Sequence, residues 1–160
     1  MRKATAARNA QLASSQPARE ENIAAIVAHL RAGAKAECRR VGIELEHICV
    51  DGTGDPITYS QPNGVRDVLA ALQEKYPEAT VHGGDLLGVA RPGAAVTIEP
   101  AAQLELSAGP FENIIDAKRV SLEFEDDVYQ ALSPIGGRAL TLGFDPVNRA
   151  AGTELIPKAR

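Results

Sequence analysis

The first stretch of this sequence that could do chemistry carries glutamates on alternate positions. Glu44 and Glu46 alternate there with the apolar residues Ile43 and Leu45. Successive side chains of a β-strand point to opposite faces of the sheet, so the two glutamates share one face. The spacing therefore predicts two carboxylates side by side on one side of a strand.

The second such stretch shows the same alternation over a longer segment. Its apolar side is formed by Ile98, Leu104 and Leu106. The opposite side carries polar groups, which are Glu99, Gln103, Glu105 and Ser107. If both stretches are strands, each presents one acidic face and one apolar face.

Carboxylates in this arrangement have a definite electrostatic cost. Neighbours on one strand face lie ~6.6 Å apart along the backbone, and their repulsion rises from ~0.6 kcal/mol in water to ~2.5 kcal/mol at an effective dielectric of about 20. A pair inside a cleft therefore needs a cation, and Mg²⁺ prefers such hard oxygen ligands together with nucleotide phosphates. The predicted metal ligands are Glu44, Glu46, Glu99 and Glu105. Alternation alone leaves a second interpretation open, the solvated face of an antiparallel strand.

Other reactive side chains fit structural roles. His47 falls on the apolar face of its strand, which favours a packed histidine. The acidic run at 123–127 is typical of the solvated face of a helix. Cys38 and Cys49 form no CxxC pair, which indicates reduced thiols and, in the simplest interpretation, a cytoplasmic protein.

These residues must be positioned by helices and clustered strands. Residues 1–18 lack periodicity and are predicted to be a flexible tail, and residues 19–160 to form the domain. Irregularly placed strands between helices indicate an α+β fold with a largely antiparallel sheet. The predicted elements are a helix from Arg19 to about Leu30, a strand at Val41–Val50, a helix over roughly 65–76 capped by Asn63, strands at Thr80–His82, Leu86–Ala90, Ala95–Glu99 and Gln103–Leu106, a helix from about Glu112 to Leu132, and a strand at Arg138–Phe144.

Composition excludes several classes of protein. The chain has 160 residues, 44% of them hydrophobic, which is enough for one core. Its formal net charge is −4, and an acidic chain argues against nucleic acid as a partner. No apolar run approaches the ~18 residues of a membrane span, so no membrane partner is expected.

Several motifs resemble those of the glutamate–cysteine ligases of the plant and bacterial type. Gly33–Lys35 and Arg40–His47 are similar to the family's G-x-K…R-x-G-x-E-x-E pattern. Val96–Pro110 is close to its S-L-E-P-G-G-Q-x-E-L-S-G-x-P element, although alanines replace the two glycines. Leu142–Pro146 and Ile156–Arg160 resemble its G-x-x-P and M-P-K-x-R-Y elements. The matches occur in family order.

The resemblance carries expectations about fold and activity. It implies the catalytic fold of glutamine synthetase, with a curved sheet whose concave face is lined by carboxylates and with helices behind. The family joins the γ-carboxylate of glutamate to the amine of cysteine, using ATP and Mg²⁺, in the first step of glutathione synthesis. Gln103 and Ser107 would then orient the substrate, and Lys158 and Arg160 would meet an anionic group. Family members are longer, so a further carboxy-terminal segment is expected to complete the site.

Two alternatives remain open. One is a related ATP-dependent carboxylate–amine ligase with another amine acceptor, for example in ergothioneine synthesis. The other is a truncated module that binds a metal or ligand without turnover.

Overall fold

The computed structural model describes residues 18–35, 37–149, 151 and 153–157. The chain divides into two compact units, Met1–Cys38 and Arg39–Arg160. In the first unit, residues 18–32 form helix α1, which confirms the predicted helix. Residues 1–17 of the predicted tail lie outside the described residues. No helix among the described residues is long and apolar enough to cross a bilayer.

The second unit is built on a six-stranded antiparallel sheet with the strand order β2-β3-β4-β5-β1-β6. This confirms the predicted α+β class. The strands are β1 (Val41–Val50), β2 (Glu78–His82), β3 (Asp85–Arg91), β4 (Ala94–Ile98), β5 (Leu104–Phe111) and β6 (Arg138–Leu140). The helices of this unit are α2 (Val65–Leu72) and α3 (Ile114–Leu132), followed by a 3₁₀ turn at Ser133–Ile135.

One hydrophobic core lies between the sheet and the two helices. α2 buries one side, where apolar residues recur at three- and four-residue spacing, and α3 does the same. The alternate apolar residues of β3, β4 and β5 complete the core. Its most buried members include Val65, Leu69, Phe124, Val128, Leu132, Val96, Leu104 and Leu106. The helices therefore cover one face of the sheet, and we call the opposite face the open face.

Both predicted boundaries of α2 differ from the structure. α2 ends at Leu72 rather than near residue 76, because the residue before Pro77 is biased away from helical geometry. The backbone N–H groups of Lys75 and Tyr76 instead donate to the Leu72 carbonyl in a turn. Gly64, not Asn63, is the residue that precedes the first turn of this helix.

The last strand is shorter than predicted. β6 ends at Leu140 instead of reaching Phe144. The Asp145 carboxylate accepts hydrogen bonds from the backbone N–H groups of Val147 and Asn148 at 2.8 and 2.9 Å, which turns the chain away from the sheet. Conversely, β5 continues to Phe111, beyond the predicted end at Leu106.

The connection between β4 and β5 is a tight hairpin. The Glu99 N–H donates to the Gln103 carbonyl at 2.9 Å, and the Ala102 N–H donates to the Glu99 carbonyl at 2.8 Å. Ala102 adopts φ 63°, which matches a three-residue hairpin loop whose last residue is left-handed. The backbone thus retains a glycine-like conformation where this sequence has alanine.

Candidate functional site

Strand register brings the predicted glutamates of β1 and β5 together. Glu46 is directly opposite Glu105, and Glu44 is directly opposite Ser107. Directly paired residues of an antiparallel sheet point to the same face, with Cβ atoms ~4.5–5.5 Å apart. All four side chains therefore lie on the open face, away from the hydrophobic core.

The same register extends across β4 and β3 in two rows. The first row runs from Glu46 through Glu105 to Thr97 and Gly88. The second row runs from Glu44 through Ser107 to Ala95 and Ala90. Sequence reasoning missed Thr97 as a member of this face, although it lies two residues before Glu99 and shares its parity.

Hydroxyl groups hold the Glu105 carboxylate in place. Ser107 Oγ donates to Glu105 Oε1 at 3.0 Å, and Thr97 Oγ1 lies 3.4 Å from the same oxygen. Hydrogen bonds to a carboxylate limit its rotation. Ser107, predicted to orient substrate, is thus engaged with Glu105 in this structure.

Glu99 and Gln103 lie one pair further along, at the β4–β5 hairpin. Gln103 Oε1 accepts a hydrogen bond from the Ala101 N–H at 3.1 Å, so its side chain supports the loop and leaves the amide nitrogen as the group available to a ligand. Glu99 is diagonal to Glu105 in the ladder, a separation of ~7–8 Å between such positions. Glu99 therefore borders the first row and does not pair directly with another glutamate.

A cavity of about 630 Å³ opens beside the second row. Glu44 and Ser107 line it, together with Ala90, Ala95 and Gly42. Most of these side chains are small, so this end of the sheet is left unfilled. Gly88, in the first row, has no space for a side chain, because an added Cβ would come within 2.9 Å of the Val96 carbonyl oxygen. The open face thus combines carboxylates with room for a small molecule.

The carboxy-terminal segment approaches the hairpin. The Ile156 N–H donates to the Pro100 carbonyl at 3.0 Å. Glu154 accepts a hydrogen bond from the Ser60 N–H at 3.3 Å, and side-chain hydrogen bonding to Ser60 lowers the pKa of this carboxyl. Lys158 and Arg160, the predicted anion-binding residues, lie outside the described residues.

The open face offers oxygen donors of the kind that a magnesium ion prefers. Within the described part of the chain, no three His, Cys, Asp or Glu side chains are grouped to hold a metal. Mg²⁺, however, is usually held by one or two carboxylates together with phosphates and water. Glu46 and Glu105 provide such a pair, and like charges directly opposite each other favour a cation between them. The donors fit an ion that arrives with a nucleotide and not one caged by protein alone.

His47 lies on the other face of β1, as predicted, and takes no part in this site. Only 2% of its surface is exposed, and its ring packs edge-on against Phe124 with centroids 5.3 Å apart. Burial lowers the pKa of His47, opposed by Glu125, whose Oε1 lies 3.7 Å from Nε2. The nearby Cys49 thiol is also buried, which raises its pKa to about 12 and keeps it protonated.

The acidic run of α3 is only partly a solvated helix face. Asp127 is 7% exposed and pairs with Lys75, so the prediction is wrong for this residue. Glu123 pairs with Arg91 at 3.1 Å and with Arg119 at 2.7 Å. These contacts join α3 to β3 and to the turn after α2, which indicates a structural role.

Known proteins resemble most of this chain. The family model described as glutamate-cysteine ligase family 2 matches residues 40–160. Curated relatives include glutamate–cysteine ligase A, chloroplastic, of Oryza sativa subsp. japonica, 29% identical over 84% of this chain and 27% of the relative. The chloroplastic enzyme of Nicotiana tabacum is 27% identical over 96% of this chain and 31% of its own length. The chain thus spans less than a third of these relatives.

The relatives also correct the predicted location. Their names place them in the chloroplast, which contradicts the cytoplasmic prediction. The spacing of Cys38 and Cys49, on which the prediction relied, does not distinguish one reducing compartment from another.

Proposed function

This chain belongs to glutamate–cysteine ligase family 2, and from that premise we propose that it forms the nucleotide-facing part of a glutamate–cysteine ligase. The observation that carries the proposal is the pairing of Glu46 with Glu105, and of Glu44 with Ser107, on one face beside a cavity. All four residues fall within the stretch that the family model matches.

The proposed reaction has two steps. The γ-phosphoryl group of ATP passes to the γ-carboxylate of glutamate, which releases ADP and leaves γ-glutamyl phosphate. The amine of cysteine then attacks the acyl carbon and displaces phosphate, which forms the amide bond. Both steps bring anionic groups together, so the main demand on the protein is positioning and charge stabilisation.

The residues of the open face have separate parts in this proposal. Glu46 and Glu105 would hold Mg²⁺, with Glu44 and Glu99 as flanking ligands. The ion, when bound, would neutralise negative charge on the nucleotide phosphates. Ser107 and Thr97 hold the Glu105 carboxylate, and the Gln103 amide nitrogen would donate to a substrate oxygen. Lys158 and Arg160 remain proposed contacts to an anionic group.

The proposal includes a further segment of polypeptide. The relatives are more than three times the length of the matched region, and the acceptor pocket for cysteine would draw on residues supplied by such a segment. A different amine acceptor is consistent with the same nucleotide-facing surface, so the acceptor must be identified by experiment.

Titration of MgATP into the chain tests the nucleotide-facing role. We expect MgATP to bind with measurable heat and ATP without Mg²⁺ not to do so. Glu46→Gln and Glu105→Gln should each weaken this binding at least about tenfold, because each substitution removes one charged ligand. Glu78→Gln, an exposed change on β2, is the matched control and should bind as the unmodified chain does. Binding that is indifferent to both variants would remove the glutamate pair from the site.

A second measurement tests the ligase assignment. The chain, together with its carboxy-terminal extension where one exists, is incubated with MgATP, glutamate and cysteine, and γ-glutamylcysteine is measured by mass spectrometry. Other amines replace cysteine in parallel reactions. Product in the cysteine reaction, and in none of the reactions with other amines, supports the assignment. Product with another amine but not with cysteine would establish the related ligase instead.

A further inference from the structure

One wall of the cavity is the tip of the hairpin that joins β3 to β4. The cavity lining includes Arg91, Gly93 and Ala94 from this tip. The chain reverses at Gly93, which adopts φ 81°, a backbone conformation that suits glycine. The Gly93 carbonyl accepts a hydrogen bond from the Gly109 N–H at 3.0 Å. The tip is therefore tied to the end of β5, which forms another part of the cavity.

The Arg91 side chain holds the same tip from the other face of the sheet. Ala90 faces the cavity, and successive residues of a strand alternate, so Arg91 points toward the helices. Its guanidinium carbon lies 4.7 Å from the centre of the Tyr76 ring, and its Nη2 lies 3.1 Å from Glu123 Oε2 of α3. Tyr76, in the turn after α2, is completely buried. Arg91 thus connects the cavity wall with α3 and with a fixed aromatic ring.

Two kinds of attraction act on the same guanidinium. A cation over the face of an aromatic ring is attracted by the ring, and a charged hydrogen bond to a carboxylate is stronger than a neutral one. Only 27% of the Arg91 side chain is exposed, so solvent screens these contacts less than it would at the surface. Glu123 also pairs with Arg119 at 2.7 Å, which holds the carboxylate from a second side.

We propose that Arg91 is a positioning residue, whose contacts with Tyr76 and Glu123 fix the hairpin tip as a wall of the cavity and thereby set how tightly the cavity holds its ligand. The inference rests on the proposed function, in which MgATP binds at the open face. Arg91 acts through the backbone of the tip, since its guanidinium is engaged on the opposite face. Small displacements of positioning groups have large effects, and one of about 1 Å can cost ~10²-fold in rate.

Lys75 offers a matched control. It joins the turn after α2 to α3 through Asp127, but it is not among the described residues that line the cavity. Loss of Lys75 leaves a carboxylate that is only 7% exposed without its cation, whereas Glu123 keeps Arg119 when Arg91 is changed. Lys75→Met should therefore destabilise the fold at least as much as Arg91→Met does. A difference between the two variants in ligand binding then reports position and not stability.

Amide hydrogen exchange, followed by nuclear magnetic resonance, tests the position of the tip without any ligand. The exchange rate of the Gly109 N–H, relative to that of the Val128 N–H within α3, should rise at least about tenfold in Arg91→Met, because the tip opens locally. In Lys75→Met this ratio should stay within about threefold of the original. A ratio that is unchanged in Arg91→Met, or that rises equally in Lys75→Met, would overturn the proposal.

Titration of MgATP tests the consequence for binding. We expect Arg91→Met to weaken binding at least about tenfold and Lys75→Met to stay within about threefold of the unmodified chain. Arg91→Lys keeps a cation near the ring and the carboxylate and should recover to within about threefold. Unchanged MgATP affinity in an Arg91→Met chain whose tip has opened would overturn the link to the ligand. If the unmodified chain does not bind MgATP, the proposed function fails, and the exchange ratio alone decides whether Arg91 positions the tip.

Discussion

At the scale of the residue, polar groups on the two faces of β1 meet opposite physical conditions. Glu44 and Glu46 are exposed on the open face, where water or a cation can screen them. His47, the next residue, is buried against Phe124 and has no hydrogen-bond partner for either ring nitrogen within the described chain. Burial favours the neutral ring, because the loss of hydration of a protonated ring outweighs its attraction to the Glu125 carboxylate 3.7 Å away.

The buried His47 predicts a pH dependence of stability. Its pKa is lowered in the folded protein by burial, so below pH ~6.5 the unfolded chain binds a proton that the folded chain does not. The stabilising effect of neutral His47 is full above that pH and is lost as pH falls, with a slope of at most ~1.4 kcal/mol per pH unit.

Denaturant unfolding at pH 7.5 and about pH 5.5 measures this effect. The difference in the free energy of unfolding between the two pH values should be smaller in His47→Leu, because leucine cannot take up a proton. The variant His82→Leu changes an exposed histidine and serves as the control. If His47→Leu keeps the full pH dependence, other groups are responsible for it.

At the scale of the element, α3 is positioned by its first turn. The Asn113 side chain accepts a hydrogen bond from the Asp116 N–H at 2.9 Å, which satisfies one of the free donors at the helix start. The same helix packs on the sheet behind the glutamate pair, where Phe124 contacts His47 of β1. Its orientation therefore affects how this part of the sheet is supported.

Loss of this cap should cost stability without loss of the fold. Asn113→Ala is expected to lower the free energy of unfolding by about 1 kcal/mol, which corresponds to a fall of about 2–4 °C in the melting temperature. Asn113→Ser retains an oxygen acceptor and should stay close to the original value. Equal melting temperatures for Asn113→Ala and the unmodified chain would show that the cap does not stabilise α3.

At the scale of the whole molecule, the core belongs to the second unit. Among the described residues, every buried one lies at or after His47. The side chains of α1 are exposed along its whole length, including Ile26 at 60% and Leu30 at 69%. The unit Arg39–Arg160 therefore holds the residues whose burial drives folding.

Removal of residues 1–38 tests this division. We expect the shortened chain to keep its melting temperature within about 2–4 °C, the shift that about 1 kcal/mol produces. The near-ultraviolet circular dichroism of the buried Tyr59 and Tyr76 should also be preserved. Removal of residues 1–47 deletes most of β1 and should abolish that signal. A shortened chain that unfolds on loss of residues 1–38 would contradict the division.

Much of this protein was determined locally by its sequence. Alternation assigned each residue of β1 and β5 to a face, because side-chain direction in a strand depends only on parity. Helical spacing located α2 and α3, because residues three and four apart lie on the same side of a helix. The α+β class followed from the order of these elements, and the spaced motifs indicated the family.

Only the tertiary structure decided which residues meet. A slip of one residue between β1 and β5 would leave the local alternation intact but place the glutamates on opposite faces. Glu46 and Glu105 lie in segments that are far apart in the chain. Their pairing is therefore decided by the assembled sheet. In the sequence, Asp127 is one charge of a run that is typical of a solvated helix face. It is buried because folding brings Lys75, from the turn after α2, to its carboxylate, and such a distant partner has no trace in local periodicity.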